Sequence, residues 1–489
     1  MEIEELTIAK AHEAFKSGTY SAKQLIQAYL DRIEAVDRNG PKLNSILGIS
    51  PFALEEADAL DKYLAETGNF KGPLHGIPIV VKDQADTKGI VTTYGSIVFK
   101  DHVPDKDATV IRKLKEAGGI ILAKTTMPDW ATSWFSVSSV TSMTHMPYCL
   151  GRDPGGSSSG TGAAIAANLG LLGLGEDTGG SVRVPASFNN IVALRVTPGL
   201  ISRNSMSPLI VPQDTAGPMC RTVRDTALML DALVGFDPTD PYTATAVIAG
   251  PPRGGSYAAL LEKDKIKTAR IGVLRAVFGD ESEADGRAVN RVIEKALEKL
   301  SDSGTTFINI EIPELKQYVF SAASFLSRSH ADLDAFLATR PAHLRKTVDQ
   351  IFTEKKYHPS CDLFENIAKS SASDTSYLQR LVAYEAFQRI VVNVMASQGL
   401  DSITFPDVRV PPQTHEAGLT KKWAGMDFPT NTGIAAQARM PAVTVPAGFT
   451  EEGLPVGIEF VGLPYHEQDL LGLAYGVESV LGARRPPKL

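Results

Sequence analysis

The sequence predicts an α/β protein, a layered sheet with helices on both faces. Short apolar runs bounded by turn residues, such as 77–81 and 171–174, have the length and setting of buried strands. Stretches with apolar residues at helical spacing, such as 108–117, lie between them, and alternation of this kind builds layered sheets. Strand-like runs then return near the end of the chain, at 402–405, 442–445 and 456–460.

Taken in order, residues 5–66 read as helices. Ser21 is a candidate N-cap for the stretch to Asp37, whose Leu25, Ile26, Tyr29, Leu30 and Ile33 share one face. Residues 51–64 repeat the pattern. The α/β alternation begins near Lys71, with a strand at 77–81, a helix at 108–117 and a strand at 119–122. Residues 126–150 are loop-like and rich in Ser, Thr and Met. A strand at 171–174 precedes the loop Asp177-Thr178-Gly179-Gly180-Ser181. An amphipathic helix fits 221–234 and stops at Gly235. Residues 236–268, rich in Pro, Gly and Thr, read as an excursion. A strand follows at 270–274, then a helix at 288–300 with Val289, Val292, Ile293, Ala296 and Leu300 inward. Residues 311–399 look mainly helical.

Composition excludes several classes. The 489 residues are 43% hydrophobic, enough for a large core, and carry a formal charge of −7. That charge argues against a general nucleic-acid binder. Cys149, Cys220 and Cys361 show no metal-ligand or disulfide spacing, so no metal is expected. The charged N-terminus has no apolar signal core, and no apolar run reaches the roughly 20 residues of a membrane span. A cytoplasmic protein with no membrane contact is the expectation.

The chemistry concentrates in 155–183, GGSSSGTGAAIAANLGLLGLGEDTGGSVR. Two Gly/Ser loops flank an apolar stretch. Such clusters are often plain loops. A serine in a tight turn after a strand is also a good place for a nucleophile, and neighbouring N–H groups can hold an oxyanion. A phosphate loop does not fit, since no Lys-Ser or Lys-Thr follows the glycines. Upstream, Lys82 ends the strand of PLHGIPIVVKD. A lysine is usually a solvated charge, but at the exit of a buried strand desolvation would favour its neutral, basic form.

PLHGIPIVVKD, DATVIRKLKEAGGIILAKTTMPDWA, GGSSSGTGAA, GEDTGGSVRVPA and GLPVGIEFVG, in this order, resemble the amidase signature family of serine hydrolases. The likeness runs from Ser21 to about Glu478. It implies one domain, 1–489, built on a large mixed central sheet. Its parts would be the helical 5–66, a signature core at 71–235, a helical pocket insertion at 311–399, and returning strands with a C-terminal helix at 400–480. It implies Ser181 as nucleophile, Ser157 as bridging serine after a cis peptide bond, and Lys82 as base. Thr178, Gly179, Gly180 and Ser181 would form the oxyanion hole. Ser158, Asp177 and Arg183 would hold the loops together, and Ala131, Thr132 and Trp134 would lie beside the acyl pocket. Trp130 and Phe135 could line that pocket or belong to the core. The same choice holds for Val319, Phe320, Phe325, Leu326 and Phe352. The family also places a pocket wall near 430–439.

No cofactor is implied. The expected reaction is hydrolysis of an amide, aryl amide or carbamate through an acyl-enzyme. The alternative is the amidase subunit of a glutamine-dependent tRNA amidotransferase, and many relatives form homodimers. The chain departs from the family pattern at Glu176, where Thr or Ser is usual, and at Arg195-Val196-Thr197-Pro198.

Overall fold

Eleven strands pair into one mixed sheet, with Lys82 at the end of one strand and Ser181 in the loop that follows another. The computed structural model describes every residue except Ala424, and of Met426 only the backbone. In chain order the strands are β1 (Ile46–Ile49), β2 (Pro78–Lys82), β3 (Ile120–Thr125), β4 (Leu172–Asp177), β5 (Val192–Arg195) and β6 (Thr215–Cys220). They continue with β7 (Arg270–Val273), β8 (Thr306–Asn309), β9 (Ser402–Pro406), β10 (Ala442–Phe449) and β11 (Pro455–Val461). Their spatial order is β1-β3-β2-β4-β6-β5-β10-β11-β9-β7-β8. β2 runs parallel to both β3 and β4, and β9, β7 and β8 run parallel to one another. The middle of the sheet, from β4 through β6, β5, β10 and β11 to β9, is antiparallel.

The helices follow their sequence signals closely. Ser21 caps Ala22–Arg32, its hydroxyl accepting from the Gln24 N–H while the Gln24 side chain accepts from the Ser21 N–H. This reciprocal pair satisfies two donors that a helix start otherwise leaves unmet. Leu25, Ile26, Tyr29 and Ile33 are buried as the periodicity required. Helix Ala284–Asp302 buries Val289, Val292, Ile293, Ala296 and Leu300.

The structure corrects several local expectations. The N-terminal region is not wholly helical, because β1 lies within it and pairs antiparallel with β3. Residues 236–268 hold a helix, Ala244–Ala249, and short 3-10 turns rather than an open excursion. The strand expected at 171–174 continues to Asp177, since its partner β6 is long enough to pair Asp177 with Thr215. That extension brings the strand to the edge of the serine-bearing loop.

One hydrophobic cluster runs from Ile3 to Leu481, packing the terminal helices against the sheet. A second, with Trp130, Phe135, Phe188, Phe325, Phe364 and Phe428, lies beneath the candidate pocket.

Candidate active site

Lys82 is the last residue of β2, a strand buried throughout. Its side chain is 1% exposed, and its Nζ lies 2.8 Å from Ser157 Oγ. Burial pushes the amine below the ordinary lysine range, an effect that the neighbouring Glu176 carboxyl partly offsets. The Gly156–Ser157 peptide bond is cis. The helix after it, Ser159–Ala166, is made of small residues apart from Ile165 and is buried along its whole length. Small side chains let a helix lie this close to strands on several sides.

Ser181 stands two residues before helix Arg183–Phe188, after the loop that leaves β4. Its carbonyl accepts from the Ser158 N–H at 3.1 Å, which joins the two serine-bearing loops. Ser158 Oγ also lies 3.3 Å from the Glu176 carbonyl. Among the described residues, the N–H groups of Gly179, Gly180 and Ser181 donate to no protein acceptor. Donors left free beside a candidate nucleophile can hold a developing oxyanion. Among the described residues, no hydrogen bond joins Ser181 Oγ to Ser157.

The loop is braced from below. Arg183 Nε and Nη2 donate to the two Asp177 carboxylate oxygens at 3.1 and 3.0 Å. Arg183 Nη1 reaches Glu459 Oε1 at 2.6 Å and the Thr432 carbonyl at 2.9 Å. Arg195 Nη1 adds a further bond to Asp177 at 2.8 Å. All these side chains are fully buried. Burial alone would raise the Asp177 carboxyl, but Arg183 and Arg195 outweigh it and hold the group well below the carboxylate range. Arg195, one of the departures from the family pattern, thus takes part in the bracing.

Ser181, Thr178 and Gly179 also form the floor of a narrow pocket. Its walls include Ala131, Thr132, Trp134, Phe135, Leu209 and Phe325. The other side comes from Asp362, Leu363, Lys421 and Trp423. The Trp134 indole N–H donates to the Gly425 carbonyl at 3.0 Å and its ring stacks on Phe428. These contacts fix the ring as a rigid wall.

Trp130 is absent from this lining. It is core, stacked on Tyr94 and set edge-on to Phe99. Of the aromatic and aliphatic candidates in the helical region, Phe325 reaches the pocket. Val319 packs in a separate cluster, Phe352 stacks on Tyr357, and Phe320 and Leu326 are 77% and 45% exposed. The 430–439 stretch approaches from beneath. There Thr432 donates its hydroxyl to the Gly179 carbonyl at 2.7 Å and does not line the cavity. Asp362, Leu363, Lys421 and Trp423 lie in no motif, so nothing in the sequence marked them as pocket walls.

Glu176 turns toward the lysine, with Oε2 3.5 Å from Lys82 Nζ. Its Oε1 accepts from Thr178 Oγ1 at 3.0 Å, and that hydroxyl also lies 2.5 Å from Asp214 Oδ1. Among the described residues, no group of three or more His, Cys, Asp or Glu side chains is placed to hold a metal ion. No helix of the described residues is long and apolar enough to cross a membrane.

The Amidase family profile matches residues 24–471, a span that contains every element of this site. The chain belongs to the amidase family. It is therefore an enzyme of carbon–nitrogen bond hydrolysis, and its mixed sheet is the family's fold. A glutamyl-tRNA(Gln) amidotransferase subunit of Alkaliphilus metalliredigens is 32% identical over 99% of this chain and 98% of its own length. A probable amidase of Arabidopsis thaliana is 30% identical over 99% of this chain and 92% of its own. Among solved structures, the peptide amidase of Stenotrophomonas maltophilia superposes with a TM-score of 0.85 at 30% identity, covering 99% of each chain.

Proposed function

We propose that this amidase hydrolyses a carboxamide or related C–N bond through Ser181, Ser157 and Lys82, by way of an acyl-enzyme. The observation that carries the reading is the 2.8 Å approach of Lys82 Nζ to Ser157 Oγ, in a buried site directly behind the pocket floor. A serine hydroxyl attacks amides only when a base takes its proton. The desolvated amine of Lys82 takes the proton of Ser157, and Ser157 takes that of Ser181. Ser181 Oγ attacks the carbonyl carbon while the N–H groups of the 178–181 loop hold the oxyanion. Ser157 then returns a proton to the leaving nitrogen, and water releases the acyl group. Ser158, Asp177 and Arg183 keep the two serine loops in register.

The pocket's aromatic and aliphatic walls suit an apolar or aryl acyl group, in an amide, aryl amide or carbamate. One sheet and one core cluster extending to both chain ends favour 1–489 working as a single catalytic unit. A second reading, a glutamine-dependent amidotransferase subunit, is favoured by full-length relatives that bear that name.

The test is a hydrolysis panel of aliphatic amides, aryl amides, peptide amides, carbamates and glutamine, run on wild type, Ser181→Ala and Lys82→Ala. Both variants should lose at least about 10³-fold in kcat/KM on whichever class is turned over. Full activity in Lys82→Ala would remove the lysine from the mechanism. Glutamine as the sole substrate would turn the assignment to the amidotransferase reading.

A further inference from the structure

Beyond Glu176 lies a second cavity of about 250 Å³, and no residue lines both it and the substrate pocket. Glu176 and Asp214 line it, together with Arg203, Ser207, Asp332 and Phe336 among others. Glu176 thus stands between Lys82 Nζ on one side and a solvent-open cavity on the other, with the Thr178 hydroxyl shared between it and Asp214. A carboxyl thus stands at a position where the family pattern usually has the hydroxyl of Thr or Ser.

We propose that Glu176 is a positioning residue for Lys82 that gives the enzyme a second, alkaline rise in activity. With its proton on, Glu176 leaves the amine a weak base. With its proton off, the carboxylate 3.5 Å away makes Lys82 a stronger one. The inference rests on the Ser181–Ser157–Lys82 reading.

The charges around Glu176 come from four elements. Lys82 faces it from β2, and Asp177 follows it on β4 with its charge taken up by Arg183 and Arg195. Arg195 lies on β5, and Asp214 precedes β6. In the cavity beyond, Arg203 is paired with Asp240 and Asp332 with Arg328. Burial raises the Glu176 carboxyl to about 8, the Asp214 charge adds to the rise, and Lys82 opposes it. Burial also pushes the Lys82 amine down. Lys82 and Glu176 therefore titrate as a unit. Below the upper transition the pair shares one proton between the carboxyl and Nζ. Above it that proton is lost on the side of the second cavity, which Glu176 lines, and a negative charge remains beside Nζ.

The consequence falls on the proton transfer itself. As Ser181 attacks, its proton passes to Ser157 Oγ while the Ser157 proton passes to Lys82 Nζ, so an ammonium forms in a dry site. An ionised Glu176 stabilises that developing positive charge in the transition state more than it affects the neutral ground state.

The experiment measures kcat/KM against pH for wild type, Glu176→Gln, Glu176→Thr and Ser181→Ala, on the best substrate of the panel. Circular dichroism at each pH confirms the fold. Wild type should show two steps, the upper one adding about threefold between about pH 7 and 9. In Glu176→Gln and Glu176→Thr the upper step should vanish and a single limb remain. A wild-type profile without the upper step overturns the proposal, as does a rise that persists in Glu176→Gln. Complete inactivity of both folded variants at every pH also overturns it, because it would give the carboxyl an indispensable role. Activity in Ser181→Ala would instead refute the triad reading, and the proposal would fall with it.

Discussion

At Gly180 the loop that carries Ser181 has no room for even one added carbon. Its φ is +139°, and a Cβ placed there would stand 1.9 Å from Thr432 Oγ1. Gly179 beside it would bring a Cβ to 3.2 Å of the Phe325 ring. Backbone this confined holds the 178–181 N–H groups in one direction, as the oxyanion hole proposed above requires. Gly180→Ala should cost about 1–3 kcal/mol of stability and lower kcat more than it raises KM. Thermal denaturation and steady-state kinetics on the same preparation check both. The serines and Lys82 were legible because each sits in a distinctive local setting, a glycine loop or the exit of an apolar strand. The orientation of Glu176 was not, since its neighbours Lys82 and Asp214 are distant in the chain and meet only when β2 and β6 flank β4.

Between elements, Arg183 ties the start of its helix to β4 and β11, and the tie continues to Asp407 just beyond β9. The Asp407 and Glu459 carboxyls meet in the interior, and Asp407 Oδ1 accepts from Thr444 on β10 at 2.5 Å. Burial, then repulsion from Glu459, holds Asp407 well above the carboxylate range. A carboxyl raised in the folded state stabilises it fully below its unfolded pKa of about 4. That contribution is lost as pH rises through the folded value. Asp407→Asn should therefore flatten the fall in stability as pH rises above about 4, read as the denaturant midpoint followed from acid pH upward. On the pocket side, Phe325→Ala removes a wall supplied by a distant helix. It should lower kcat/KM for bulky apolar acyl groups by about tenfold or more, with a smaller effect on acetyl-sized ones. The helix periodicity that located this region could not say which of its apolar residues face the cavity, because core and pocket wall obey the same spacing. Strands differed in legibility for a similar reason. β10 and β11 are apolar and turn-bounded. β6 reads Thr-Ala-Gly-Pro-Met-Cys, and Gly and Pro argue against a central strand. β8 is a partly exposed edge strand of only four residues.

On the scale of the whole molecule, the order of the strands in space is far from their order in the chain. β10 and β11, from the last tenth of the sequence, fill the gap between β5 and β9. Without them the sheet is two separate pieces with apolar open edges. A chain ending at Pro441 should therefore fail to give soluble, folded protein, with far-UV circular dichroism and sedimentation as the checks. The termini are stitched to the same core. Arg484 pairs with Glu5 and donates to the Ala166 and Asn190 carbonyls, while Arg221 donates to the Leu6 carbonyl. This placement sets a timetable for biosynthesis. A nascent chain leaving the ribosome exposes nine strands before the two that close the sheet have been translated. Unpaired edges in that interval are aggregation-prone, so the protein depends, for its first seconds, on whatever shields those edges until residue 461 has emerged.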